Sequence, residues 1–324
     1  MTTPYEPPFV NREGELSILL KIVDEGYYPV LYLFGPEGCG KTRLLKEVLA
    51  RIRGEEDYFV VYVDAQSAED LRKAILAPPR VLEIMAELVK EIGGPVGRAA
   101  SLIITKLASR LGEHEVKGRK VVILLDDIAR PLGIDMIEIY TKNLLTLLEE
   151  LYALKASSVS IIATTSEGAS CAIVAKHNYV RLRQIWNLDK DSTHELLAKL
   201  NAPQKVWDDV WRLTGGNPRS IVELWRRKWK IDEWIKEVEI SLRIIIRQLD
   251  KSERRFLKTV VTNVDAVQEL PQLRRALIEN NLITPIVRPC LGYTPPPCPE
   301  LGIGEDYAWQ IPVYKYIVER MRVH

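Results

Sequence analysis

Over the first half of the chain, short β-prone runs alternate with stretches of helical periodicity. Tyr28 to Phe34, Asp57 to Ala65, Val121 to Leu125, Ser158 to Ala163 and Tyr179 to Arg183 read as five strands. The first four are mostly apolar, as strands covered on both faces of a parallel sheet must be. Between them, apolar residues recur every three to four positions. Leu16, Leu19, Leu20 and Val23 lie on one face of a helix that starts near Asn11, a plausible N-cap, and stops at Gly26. Leu44, Leu45, Val48, Leu49 and Ile52 mark a second helix ending at Gly54. Ser67 and Asp70 form a capping-box pattern for a third, closed by Pro78 and Pro79. Helices over Arg80 to Ile92 and Val96 to Leu111 are separated by Gly93-Gly94-Pro95, and a long one runs from about Met136 to Leu154. Strands alternating with helices predict an α/β core.

From Asp189 onward the pattern is helical. Leu196, Leu197 and Leu200 mark one helix and Val206 to Leu213 another, before Gly215-Gly216-Asn217-Pro218 interrupts the pattern and a helix restarts at Pro218. A longer helix, Ile231 to Leu249, leads to a final unit. There the order is helix (Lys251 to Val261), helix (Pro271 to Asn280), strand (Leu282 to Thr284), proline-rich loop (Pro289 to Pro299) and strand (Tyr307 to Ile311). That order predicts a winged helix, with Thr294-Pro295-Pro296-Pro297-Cys298-Pro299 as a stiff wing tip.

Composition narrows the picture. A net charge of +1 excludes bulk polyelectrolyte behaviour, so nucleic acid would be bound through a local patch. With 27% charged and 47% hydrophobic residues and no apolar run of membrane-spanning length, the balance is that of a soluble globular protein with no membrane partner. Met1 to Val10 lacks a basic start and an apolar core, which predicts no signal peptide and a cytoplasmic location. Cys39, Cys171, Cys290 and Cys298 have no metal-ligand spacing, and a reduced Cys290 and Cys298 are expected.

The candidate chemistry begins where the first strand ends. Gly35-Pro36-Glu37-Gly38-Cys39-Gly40-Lys41-Thr42 matches the phosphate-binding loop, and it stands between a strand and a helix as that motif requires. The glycines bring backbone N–H groups against phosphate oxygens, and the helix after them presents its positive end. Lys41 would reach the outer phosphates of ATP or ADP, the Thr42 hydroxyl would ligate Mg2+, and Arg43 follows them into the helix. The third strand ends on Asp126-Asp127, which predicts a metal-side carboxylate at Asp126 and a water-orienting, catalytic one at Asp127. Thr164 and Thr165 close the fourth strand, where they would sense the terminal phosphate or position water, or simply end a threonine-rich strand.

Phe9-Val10-Asn11-Arg12-Glu13, Gly35 to Thr42, Leu124-Leu125-Asp126-Asp127, Thr164-Thr165, Gly215-Gly216-Asn217-Pro218-Arg219 and Gln310-Ile311-Pro312-Val313-Tyr314 together resemble the archaeal ATPases of the STAND and AAA+ group. The resemblance implies a five-stranded parallel sheet in the order 5-1-4-3-2, with the threonine strand between the loop strand and the acidic strand. It implies an ATPase core over residues 1–187, a helical lid over 188–245 and a winged helix over 246–324. Val10 and Arg12 would pass the adenine, Pro218 would pack on the base, and Arg219 is placed like a second sensor reaching phosphate from the lid. Two departures from the family stand out, namely Ser166 where many relatives carry Arg and Asp127 where AAA+ members usually carry Glu. The shorter acid implies slow hydrolysis, and Arg130, Arg181 and Arg183 are the candidate arginine fingers.

These readings predict an ATP-driven, Mg-dependent switch in which lid and winged helix move with nucleotide state. An ATP-regulated DNA-binding protein resembling replication initiators is the alternative, with Arg274 and Arg275 on the helix before the wing as its contacts. A nucleotide-dependent scaffold with negligible turnover is a third reading. Protein clients or copies of the same chain are its expected partners.

Overall fold

The computed structural model describes residues 7–66, 74–92, 99, 102–128, 132–165, 171, 173–176 and 178–321. The Ser67 and Asp70 capping box, Gly93-Gly94-Pro95, Arg130 and Ser166 lie outside the described residues. The chain divides into two compact units: Glu13–Phe34 with Lys41–Arg183, and Met1–Arg12 with Gly35–Gly40 and Gln184–His324.

The first unit is built on a sheet. Its strands are β1 (Val30–Phe34), β2 (Tyr58–Asp64), β3 (Ile75–Leu76), β4 (Lys120–Asp126), β5 (Ser158–Thr165) and β6 (Val180–Gln184), in the order β3-β2-β4-β5-β1-β6. The expected five-stranded sheet of order 5-1-4-3-2 is corrected by β3, an edge strand that pairs antiparallel with β2. Two residues bounded by a proline pair are too short to carry a readable period, which is why the sequence conceals it. The β2–β4, β4–β5 and β1–β5 pairs are parallel.

Helices α1 (Glu13–Glu25), α2 (Lys41–Ile52), α3 (Pro79–Ile92), α4 (Glu113–Val116) and α5 (Ile134–Ala153) accompany these strands. Asn11 is not the N-cap of α1: it stands two residues before the helix at φ 43°, and its side-chain amide donates to Ser192 Oγ at 2.7 Å. On α5, Tyr140, Leu144, Leu147, Leu148 and Leu151 are buried in one cluster with Val121, Ile123 and Leu125 of β4. Thr141 on the same helix shares a 2.8 Å hydrogen bond with the Tyr32 hydroxyl of β1, so the helix is fixed in rotation as well as in contact. Burial pushes the Tyr32 phenol far above its ordinary value, outweighing the Thr141 hydrogen bond, which lowers it, and the phenol stays neutral.

The second unit carries α6 (Lys190–Lys199), α7 (Trp207–Thr214), α8 (Pro218–Arg226), α9 (Ile231–Gln248), α10 (Lys251–Thr262), α11 (Pro271–Glu279), β7 (Ile283–Pro285), β8 (Tyr307–Trp309) and α12 (Pro312–Arg320). One hydrophobic cluster runs from Leu196, Leu224 and Trp234 through Leu257 and Leu277 to Val313 and Ile317, so helices α6, α8 and α9 share a core with α10, α11 and α12. Trp234 hangs its indole N–H on Glu223 Oε2 at 3.0 Å, which satisfies the polar atom of a tryptophan buried in that core. None of the four cysteines forms a disulfide.

β7 and β8 pair antiparallel, with Ile283 opposite Trp309. The wing between them is closed at its base from two sides. Asp265 accepts the backbone N–H groups of Glu305, Asp306 and Tyr307 at 2.7, 3.1 and 2.8 Å. Arg288 reaches across to the carbonyl oxygens of Pro295 and Gly304, both at 3.3 Å. Replacing Asp265 with Ala strands three donors at once, so amide hydrogen exchange at Glu305 to Tyr307 should accelerate by about tenfold or more, while the amides of α5 keep their protection.

Candidate functional site

In the sheet-bearing unit, the parallel register decides which residues meet. Asp126, last in β4, stands beside Asp64, and Thr164 and Thr165, last in β5, stand beside Leu33 and Phe34. These are the carboxyl ends of neighbouring parallel strands, where open α/β sheets bind ligands. Asp126 is buried and receives three hydroxyl groups. Thr164 Oγ1 donates to Asp126 Oδ1 at 2.7 Å, Thr42 Oγ1 donates to the same oxygen at 3.2 Å, and the Tyr62 hydroxyl donates to Oδ2 at 3.1 Å. Burial, followed by the nearby Asp126 and Asp64, pushes the Tyr62 phenol well above its ordinary value, so it remains a donor throughout the working pH range.

Thr164 also organises the next residue. Its hydroxyl oxygen accepts the Asp127 backbone N–H at 2.8 Å, and its carbonyl accepts that of Ile128 at 3.2 Å. Asp127 takes up the left-handed region at φ 54°. There Gln66 Nε2 donates to Asp127 Oδ2. Thr165 and Lys41 are both buried, while Thr42 is exposed at the start of α2. Arg43 forms an ion pair with Glu47, one turn along the helix, at 2.9 Å. Arg181 and Arg183 are exposed on β6 with their guanidinium groups near backbone carbonyls of Asn178 and Leu182 at 3.5 Å.

The other unit holds the loop residues Gly35 to Gly40. Gly35 passes so close to the chain that a Cβ there would lie 2.0 Å from the Ile185 carbonyl oxygen, and only glycine fits. Pro36 and Cys39 close a turn through Cys39 N–H to Pro36 O at 3.1 Å, and buried Cys39 fills the space beneath, as a small loop residue should. Arg12 is buried against the loop, donating from Nη2 to the carbonyl oxygens of Cys39 and Trp186 at 2.7 Å each. Val10 joins the hydrophobic cluster with Leu188 and Leu196.

Glu37 is bonded through its N–H, its carbonyl and its carboxylate. Its N–H donates to Gln310 Oε1 at 2.8 Å and its carbonyl accepts Asn217 Nδ2 at 2.9 Å. Its carboxylate meets Arg219 Nη1 at 2.5 Å through one oxygen and Asn281 Nδ2 at 3.4 Å through the other. Pro218 is half-buried as the first residue of α8, behind Asn217, whose Oδ1 caps Ser220 N–H at 3.1 Å. Asn187 ties the set together, accepting from Asn217 Nδ2 at 2.9 Å and donating to the Gln310 carbonyl at 3.1 Å. Arg274 is half-buried, and exposed Arg275 pairs with Glu279 at 2.7 Å.

Sequence reasoning missed Tyr62, Asn187 and Asn281. Tyr62 sits in an apolar run where only strand register discloses that it faces an acid; the two asparagines belong to no motif. Gln310 was visible as part of a terminal motif, but its bond to the loop was not.

Curated relatives include an ATP-binding protein of Methanocaldococcus jannaschii, 22% identical over 284 residues that cover 74% of this chain and 77% of the relative. An ATP-binding protein of Pyrococcus abyssi is also 22% identical, over 78% of this chain and 83% of its own. Among solved structures the chain is similar to Orc1 of Aeropyrum pernix in complex with DNA, with a TM-score of 0.44, 16% identity and coverage of 97% and 93%. DnaA of Aquifex aeolicus bound to AMPPCP gives a TM-score of 0.40, 18% identity and coverage of 83% and 77%. A family model described as an ATPase domain predominantly from Archaea matches residues 9–224, and the chain belongs to that family.

Proposed function

We propose that the protein is an ATP-binding, Mg-dependent ATPase of slow turnover that works as a switch with its output at the winged helix. The observation that carries this reading is the set of three hydroxyls converging on Asp126 beside a left-handed Asp127. An ordinary strand end has no use for such a set, whereas a P-loop ATPase needs one carboxylate held still and a second turned elsewhere.

In this reading the backbone of Gly35 to Gly40 and the start of α2 cradle the phosphates, and the Lys41 ammonium neutralises the outer ones. Thr42 and Asp126 suit Mg2+, since both offer oxygen and one carboxylate plus substrate phosphates is a usual set for that ion. When bound, the ion supplies positive charge between neighbouring phosphate groups. Tyr62 and Thr164 are positioning residues that fix both oxygens of Asp126. Asp127 takes the proton of an attacking water at its carboxylate, and Thr165 orients that water. Domain limits of 1–187, 188–245 and 246–324 remain part of the proposal, with Val10, Arg12 and Pro218 around the base.

Duplex DNA is the output to test first, because α11 precedes the wing and carries Arg274 and Arg275. Residues 241–324 hold twelve Lys or Arg against nine Asp or Glu, so the binding would be salt-sensitive and modest.

Lys41→Ala should weaken binding of a fluorescent ATP analogue by tenfold or more, about 1.4 kcal/mol, and unchanged affinity would refute the nucleotide site. Asp127→Ala should retain ATP while phosphate release falls by roughly a hundredfold. An unaltered rate would remove Asp127 from the chemistry, and a wild-type protein with no release above background would favour a scaffold. Binding of labelled duplex over a salt series should weaken as salt rises, with the slope shallower by about one for each of Arg274→Ala and Arg275→Ala. Binding that ignores salt and both substitutions would exclude the winged-helix contact.

A further inference from the structure

The residue at the third position of the phosphate loop is chemically odd. Gly35 to Gly40 would present backbone N–H groups to an anion, yet Glu37 places a carboxylate among them. That carboxylate is spent on Arg219 at 2.5 Å. The Arg219 backbone is pressed onto the same loop: its N–H donates to the Gly38 carbonyl at 3.3 Å, and a Cβ on Gly38 would lie 2.5 Å from Arg219 Cβ. Gly38 has φ +81°, so glycine is needed there for conformation as well as for space. A mobile cation is therefore held at the rim of an anion-binding loop by an anion that belongs to the loop itself.

The strength of this pair decides what it can do. The Arg219 side chain is 56% exposed and that of Glu37 36%, so water screens the pair, which contributes little to stability. A multiply charged phosphate arriving in the loop offers the guanidinium more charge and a bidentate geometry. Exchange of partner is then downhill for a triphosphate, and weaker for a diphosphate that ends one group earlier. The rest of Glu37 is pinned independently, through its N–H to Gln310 Oε1 at 2.8 Å and its carbonyl to Asn217 Nδ2 at 2.9 Å. Only the carboxylate is released when Arg219 leaves. Its second oxygen already faces Asn281 Nδ2 at 3.4 Å, at the end of α11.

We propose that Glu37 is a specificity-determining residue, a built-in competitor that holds Arg219 until a terminal phosphate displaces it, and so lowers ATP affinity relative to a loop without the acid. The inference rests on the nucleotide reading above. It predicts that the loop discriminates ATP from ADP through a contest between two anions for one guanidinium, and that the loser turns toward Asn281.

Glu37→Gln keeps the shape of the side chain and both backbone contacts while removing the charge. Affinities of the full chain for ATP and ADP, measured by competition against a fluorescent analogue in Mg2+, should show ATP binding strengthened by about threefold to fivefold with ADP changed by less than twofold. In an Arg219→Ala background the same substitution should leave the ATP-to-ADP ratio unmoved. Equal weakening of both nucleotides by Glu37→Gln would assign the residue to loop scaffolding, and an unchanged ratio, or a gain that persists without Arg219, would overturn the competition. Lys41→Ala separates the two levels. Loss of both nucleotides in Lys41→Ala alongside an unmoved Glu37→Gln ratio defeats this inference alone, whereas retention of both in Lys41→Ala defeats the nucleotide site and the inference with it.

Discussion

Parallel strand register is the constraint on which the sheet-bearing half of the protein depends. Because β4 lies between β2 and β5 with Leu125 opposite Ala163 and Asp64 opposite Asp126, the last polar residues of three strands arrive at one edge together. A slip of one residue would reverse every side chain of β4 and carry Asp126 away from Tyr62 and Thr164. The apolar stretch of β4 thus does two jobs. It buries both faces of the strand, and by fixing register it aims an acid.

Asp126 illustrates how burial and chemistry reinforce each other. A carboxylate almost wholly removed from water is tolerated only with its lone pairs occupied, and Thr42, Thr164 and Tyr62 occupy them. All three donors are neutral hydroxyls, so they satisfy the acid without pairing it with a charge. Thr164 further links the acids to each other, accepting the N–H of Asp127 with the hydroxyl that donates to Asp126. A change at either acid is transmitted to the other through one oxygen atom.

Much of this was legible in the sequence. The phosphate loop, the acid pair and the two threonines could be read because each is a short motif at a strand end, and the helices because their apolar residues recur at helical spacing between clear start and stop signals. β3 was not legible, since two residues carry no period. Asn11 was misread because N-cap preference is local, whereas its amide is satisfied by Ser192, 181 positions away. Tyr62, Asn187 and Asn281 were invisible for the same reason: their partners are fixed by tertiary packing and strand register, not by spacing along the chain. The role of Glu37 was hidden in a motif position that tolerates any residue, where sequence pattern is silent by definition.

The wing shows what rigidity at a distance from the core can accomplish. Arg288 holds the carbonyls of Pro295 and Gly304, and Asp265 gathers three consecutive amides at the foot of β8. A loop of this length would ordinarily sacrifice much conformational freedom on meeting a partner. With its prolines already constrained and both its flanks tethered, the tip meets a surface in a shape settled during folding. The order of the wing is therefore carried by its own tethers, and the freedom of its loop is lost on folding.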